Sequence, residues 1–488
     1  MENPAYWSAT QQSEALRKRS ISAVELLDLS IKRIENLDRR FNAVVMRDFE
    51  RARAQATQAD HRLKARDSRP LLGVPLTVKE SFNVAGLPTT WGFPQAKGYV
   101  PEEDAAAVQR LNGAGAIVIG KTNIPTGISD WQTFNAIYGT TNNPWDESRS
   151  PGGSSGGSAA ALAAGYVALE LGSDLRGSLR VPAHYCGVYA HKPTHGIIPL
   201  RGHVPPGAEA LPINPDMAVA GPMARCTEDL TLAMNLLAGP DRPDDSGYRL
   251  DLPAARHNRL RDFRVLVLTE HPLISTSFEI VGALNQIADR LEMVGASVSR
   301  ASPALPDLAQ TAATYTQLFM AFGAAFWPIE AYDRVRKIAS GIPAGVDTPT
   351  AQRARAAILS HRDWIAADQI RRSMRRRWQA LFDEFDVILC PTMPTTAIQH
   401  DHLADQEDRR ILIDGTEVKY EDQDPWLTIA SLCGLPSTVA PIARSNAGLP
   451  IGVQILGPHL ADRTTIGFAG LIEWEFGGFS GPPNAMIP

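Results

Sequence analysis

A chain of 488 residues with 44% hydrophobic and 21% charged side chains can bury a large core, and its net charge of −5 gives no electrostatic reason to seek a phosphate backbone. Cys186, Cys226, Cys390 and Cys433 are scattered without a Cys-x-x-Cys pair, which argues against a disulfide framework and against a zinc ribbon. The opening stretch, Met1 to Trp7, lacks the basic start and apolar run of a secretory signal, and the longest apolar run, Ala159 to Leu169, is too short to span a bilayer. The composition therefore leads to the expectation of a cytoplasmic globular enzyme.

Residues 1–65 read as a helical amino-terminal arm: Ser22-Ala-Val-Glu25 is a capping box, and Val24, Leu27, Ile31 and Ile34 follow at helical spacing. From Leu72 the pattern turns to strand, helix, strand, with Val74 to Val78, Asp104 to Leu111 and Ala116 to Ile119 forming one right-handed βαβ unit. Lys79 stands at the carboxyl end of the first strand, where α/β proteins place chemistry. The run Ser150-Pro-Gly-Gly-Ser-Ser-Gly-Gly-Ser158 then supplies the backbone freedom that crowds amide and hydroxyl groups together. Ser158 to Ala164, rich in alanine and without β-branched residues, predicts a tightly packed buried helix. Ser178 follows in Gly172-Ser-Asp-Leu-Arg-Gly-Ser-Leu-Arg180.

Pro199 to Gly207 is rich in proline and glycine and reads as a rim of the active-site mouth. A second strand–helix–strand unit occupies Val265 to Leu268, Phe278 to Met293 and Ser297 to Ser299. Thr350 to Phe385 reads as a long helical region, followed by a strand at Val387 to Leu389 and a turn at Pro391 to Pro394. Its cluster Arg371 to Arg377 is one short basic face in an acidic chain, so it is assigned to solvent and not to nucleic acid. The acidic stretch Asp401 to Asp424 reads as an irregular surface insertion.

Lys79, Gly152-Gly-Ser-Ser-Gly-Gly-Ser158, Asp174, Gly177-Ser-Leu-Arg-Val-Pro182, Lys192-Pro-Thr194 and Gly448-Leu-Pro-Ile-Gly-Val-Gln-Ile-Leu-Gly457 together resemble the amidase signature family over nearly the whole chain. The resemblance implies one domain over residues 1–488, an α/β fold with a large twisted mixed sheet flanked by helices on both sides, and hydrolysis of a carbon–nitrogen amide bond. It also implies a Ser-cisSer-Lys triad in which Ser178 is the nucleophile, Ser154, after a cis Gly153–Ser154 peptide, the proton relay, and Lys79 the base. Backbone N–H groups of Leu175, Arg176, Gly177 and Ser178 are the matching oxyanion-hole donors, the Ser155 hydroxyl is expected to support Lys79 from behind its direct partners, and Asp174 and Arg180 brace the loop. No metal and no organic cofactor is implied, and the expected partner is a small amide, bound by a monomer or homodimer without nucleic acid or membrane.

These roles have a physical basis in the residues themselves. A lysine excluded from water loses the stabilisation of its charged form and can accept a proton near neutral pH, and a hydroxyl can donate and accept at once, so Ser154 can bridge Lys79 to Ser178. Carbamates, urethanes and esters suit the same machinery, and the same fold serves as the amidase subunit of a glutamyl-tRNA amidotransferase. A Ser-His-Asp triad built on the Gly-x-Ser-x-Gly run around Ser155 lacks any independent sign of its partners. His184, His191 and His195 match no zinc spacing and read as core or surface histidines.

Three positions depart from the family pattern. Arg176 stands where glycine is usual, and either faces the substrate entrance, points to solvent or pairs with an acid. Glu80 replaces the more usual aspartate after the lysine, and Ser431 replaces a frequent asparagine. Trp131, Phe134 and Tyr138, with Trp91 and Phe93, adjoin the motifs and suggest an apolar or aryl acyl pocket, although core packing explains aromatics equally well.

Overall fold

The computed structural model describes residues 4–208 and 215–485, so the very start of the stretch read for a secretory signal lies outside it. The arm begins with α1 (Ala9–Lys18) and α2 (Ala23–Phe41). Ser22 Oγ accepts the Glu25 N–H while the Glu25 carboxylate accepts the Ser22 N–H, so the expected capping box starts α2, and Asn42 ends it in the left-handed conformation. Its inner face buries Leu26, Leu27, Ile31, Ile34, Leu37 and Phe41, each contributing about 1.5–3 kcal/mol by removal from water. The arm is not wholly helical: β1 (Val44–Arg47) leaves α2 and joins an edge of the main sheet, before α3 (Phe49–Lys64).

The expected βαβ unit follows, each boundary slightly later than read, as β2 (Pro75–Lys79), α4 (Ala106–Gly113) and β3 (Ile117–Thr122), with β2 and β3 parallel. The glycine-rich run leads into α5 (Gly156–Ala163), buried at every residue, and then β4 (Leu169–Asp174), which lies parallel to β2 on its other side. After α6 (Arg180–Cys186) come β5 (Tyr189–Lys192), β6 (Val219–Ala224), α7 (Thr227–Leu237), β7 (Arg264–Val267), α8 (Phe278–Met293), β8 (Ser297–Ser299) and α9 (Leu308–Ala324). The last strands are β9 (Val387–Pro391), β10 (Ser437–Arg444) and β11 (Pro450–Leu456).

Together these make an 11-stranded mixed sheet in the order β1-β3-β2-β4-β6-β5-β10-β11-β9-β7-β8. All residues of β2 to β6, β9 and β11 are buried, which requires cover on both faces, and helices supply it. Among the described residues, no helix is long and apolar enough to cross a membrane.

Two stretches differ from the sequence reading. The region 350–385 is two helices, Pro349–Ala356 and His361–Glu384, because Ser360 Oγ accepts the Asp363 N–H and caps a new start. Within the second, Arg371 is not on a solvated face: it is buried and paired with Asp216 and Asp368. The stretch 401–424 is not irregular throughout either, since Arg410–Ile413 and Thr416–Lys419 form a hairpin turned by Asp414 (φ 48°) and Gly415 (φ 84°), the Asp-Gly pair suited to such a turn. Ile411, Ile413 and Tyr420 anchor this segment in the core.

Candidate active site

Parallel pairing of β2 with β4, Thr77 opposite Glu170 and Val78 opposite Leu171, brings the carboxyl end of one strand beside that of the other. Lys79 Nζ donates to Ser154 Oγ at 2.7 Å and to Ser173 Oγ at 3.0 Å. Lys79 and Ser154 have no exposed surface, whereas Ser178 keeps 8%. Burial pulls the Lys79 ammonium down to about 7, opposed by the nearby charges of Asp174 and Glu170. Glu170 lies on the same strand as Ser173, and burial pushes its carboxyl up to about 8 against the hydroxyls of Thr77, Ser158 and Thr122.

The Gly153–Ser154 peptide is cis, as the resemblance implies. Ser178 meets this loop through the backbone, the Ser155 N–H donating to the Ser178 C=O at 3.1 Å. Among the described residues no side-chain hydrogen bond joins Ser178 Oγ to Ser154. Gly177, at φ 88°, makes the turn before Ser178, and a Cβ there would lie 2.4 Å from Leu427 Cδ1. Asp174 ties that turn down, accepting the N–H of Gly177 at 2.9 Å and of Leu179 at 3.1 Å, and pairing with Arg180 through Nη2 at 2.9 Å and Nε at 3.0 Å. Burial alone would raise the Asp174 carboxyl, but Arg180, Lys192 and the loop amides hold it below the usual carboxylate range. Arg180 is braced in turn by the Leu427 carbonyl, Ser431 Oγ at 2.8 Å and Gln454 Oε1 at 2.7 Å. The distant glycine-rich motif on β11 thus reaches the site through Gln454.

Ser155 stands one residue behind Lys79: its hydroxyl lies against the Ser173 backbone, donating to that carbonyl at 3.3 Å, and Ser173 Oγ takes the lysine. Gly177 is not free to serve an oxyanion, because Asp174 takes its N–H, whereas among the described residues no acceptor engages the N–H of Leu175, Arg176 or Ser178. The expected pocket aromatics each meet a different partner. Trp131 donates Nε1–H to the Arg176 carbonyl at 2.8 Å, Phe134 stacks on His402 at 4.0 Å, and Tyr138 donates to Glu80 at 3.3 Å. Glu80 serves a loop, accepting the N–H of Thr90 and of Trp91, the latter at φ 53°. From the Pro199–Gly207 segment, Pro199 to Gly202 and Val204 line a cavity of about 1110 Å³ with Asn83, Asp104 and Asp241, a lining that contains none of Lys79, Ser154 and Ser178. His184 Nδ1 accepts the Gly452 N–H at 2.8 Å while its Nε2 meets the Thr395 carbonyl, and His191 bonds Thr438 and Asp462, so these two histidines point to separate partners.

Arg176 pairs with acids. Its guanidinium meets Asp424 and Glu421, the latter at 2.9 Å, and its Cζ lies 4.1 Å from the Trp131 ring centroid. Burial disfavours its charge, yet Asp424 and Glu421 raise its pKa above the usual arginine value. Gly177, not Arg176, takes the positive φ, so arginine is unstrained here. Removing the cation leaves both carboxylates, 13% and 14% exposed, without their partner. Arg176→Ala is therefore expected to cost about 3 kcal/mol, read as a lower urea midpoint. An unchanged midpoint would show that the pair contributes nothing.

A family model described as Amidase matches residues 25–466. Over 472 residues the chain is 34% identical to a glutamyl-tRNA(Gln) amidotransferase subunit of Roseiflexus sp. (strain RS-1), covering 93% of each. It is 31% identical to the indoleacetamide hydrolase of Bradyrhizobium diazoefficiens, covering 96% of this chain and 86% of that one. A solved bacterial aryl acylamidase superposes with a TM-score of 0.79 at 25% identity, covering 97% of each chain.

Proposed function

Because this chain belongs to the amidase family, we propose that it hydrolyses the carbon–nitrogen bond of small amides through an acyl-enzyme on Ser178. The observation that carries this reading is the buried Lys79 amine, lowered to about 7 and 2.7 Å from the Ser154 hydroxyl. An amide is a poor electrophile with a poor leaving group, so it needs an activated nucleophile, a stabilised oxyanion and a proton for the departing nitrogen. Neutral Lys79 takes the Ser154 proton as Ser154 takes that of Ser178, and the Ser178 oxygen attacks the acyl carbon. The oxyanion rests on the N–H groups of Leu175, Arg176 or Ser178. As the carbon–nitrogen bond breaks, Ser154 returns a proton to the amine and is reprotonated by Lys79. Water then attacks the ester by the same relay, regenerating the Ser178 hydroxyl and releasing the acid.

Carbamates, urethanes and activated esters fit the same steps. A second reading, in which the chain works as one component of an amidotransferase, is supported by the likeness to the Roseiflexus protein. The purified chain, assayed alone on aliphatic amides, aryl amides, anilides, carbamates, p-nitrophenyl esters and glutamine, is expected to hydrolyse amides. Glutamine turnover that appears only with added partner proteins would establish the second reading. No turnover of any substrate by correctly folded protein would overturn the first.

A further inference from the structure

Two aromatic side chains from outside the signature motifs hold the carbonyls of the loop before Ser178. Tyr315, on α9, donates its hydroxyl to the Leu175 C=O at 3.2 Å, and Trp131 donates to the Arg176 C=O at 2.8 Å. Neither the Leu175–Arg176 nor the Arg176–Gly177 peptide is cis, and in a planar trans peptide the N–H points opposite to the C=O. Holding the Leu175 carbonyl therefore sets the direction of the Arg176 N–H, and holding the Arg176 carbonyl sets that of Gly177. The second peptide is engaged at both ends, since Gly177 N–H goes to Asp174 at 2.9 Å. In the first, the carbonyl end is engaged by Tyr315 and the Arg176 N–H meets no acceptor among the described residues.

Tyr315 is built to hold this position. Its side chain is 1% exposed, and its ring stacks on Phe319 with centroids 5.6 Å apart and planes 12° from parallel, so the hydroxyl has little room to swing. Burial raises its pKa well above the ordinary tyrosine value, which keeps the proton available for donation.

We propose that Tyr315 is a positioning residue of the oxyanion hole: by holding the Leu175 carbonyl, its hydroxyl aims the Arg176 N–H at the acyl oxygen of a substrate attacked by Ser178. This rests on the acyl-enzyme reading above. A donor displaced from its line weakens the transition state more than the ground state, because the oxygen carries full charge only after attack.

Tyr315→Phe keeps the ring and removes the hydroxyl. Its kcat on the best amide is expected to fall about tenfold, less than the 10²–10³ lost when a donor is deleted outright. KM and the acid limb of the pH profile should stay as in wild type. The inhibition constant of a trifluoromethyl ketone carrying the same acyl group should rise by the factor that kcat falls, because its adduct with Ser178 presents the same oxyanion. The labelling rate with a fluorophosphonate should fall too. Wild-type kcat and inhibitor affinity in the variant would overturn the proposal, as would kcat and KM moving together with loss of thermal stability, which is the mark of a merely structural contact. Should wild type hydrolyse nothing, the acyl-enzyme reading falls and this one with it. An active wild type with an indifferent Tyr315→Phe variant defeats this one alone.

Discussion

Ser178→Ala is expected to remove amide hydrolysis, with kcat falling on the order of 10⁶-fold, while the circular dichroism spectrum and urea midpoint stay at wild-type values. The side chain is small, and among the described residues its Oγ makes no side-chain hydrogen bond, so losing it should strand no buried partner. Stability and activity therefore separate at this position. Of the two serines, Ser178 alone keeps exposed surface, whereas Ser154 is fully buried against Lys79. A fluorophosphonate should accordingly label Ser178 and leave Ser154 unmodified, as read by peptide mass spectrometry. Labelling at Ser154 would reverse the two roles, and near-wild-type turnover in Ser178→Ala would remove Ser178 from the chemistry.

The second large effect concerns Lys79. Burial lowers its ammonium to about 7, so below that pH the group is charged and cannot accept a proton, and above it the group is neutral and can. The sign follows directly: kcat/KM rises with pH, about tenfold per unit below the midpoint, and levels off above it. Lys79→Ala should abolish that acid limb and reduce amide turnover by roughly 10²–10⁴-fold. An ester with a p-nitrophenolate leaving group needs no proton on departure, so its hydrolysis should fall less. The amide-to-ester ratio in wild type and variant is the measurement. Equal losses would mean that Lys79 activates attack or holds the site together, without supplying the leaving-group proton.

Lys79 and the serines of the candidate site were legible because each announces itself locally: a lysine at a strand end, and a glycine-rich run whose serines stand among backbone turns. The same is true of the Ser22–Glu25 capping box, where both partners lie within one turn. What stayed hidden depends on strand order and distance. Ser173 takes Lys79 because β4 lies beside β2, a neighbour relation that neither strand states by itself. The partners of Arg176 come from Glu421 and Asp424, and the hydroxyl on Leu175 comes from Tyr315, 140 residues further along the chain. Nothing near Arg176 shows whether an acid will arrive to meet it. The Asp414-Gly415 turn was a signal of another kind: it was readable between its flanking strands, but the acidic surroundings masked it.

The brace from Gln454 to Arg180 spans 274 positions, and β5 finds its neighbour β10 only in the last stretch of the molecule. Ribosomes add roughly 5–20 residues per second, so Ser178 leaves the tunnel on the order of a quarter of a minute to a minute before its far support exists. During that interval the growing polypeptide carries Ser178 but not the buttress behind it. The loop that carries Ser178 is therefore fully buttressed only near the end of translation, and premature termination ahead of residue 454 yields a product without that support.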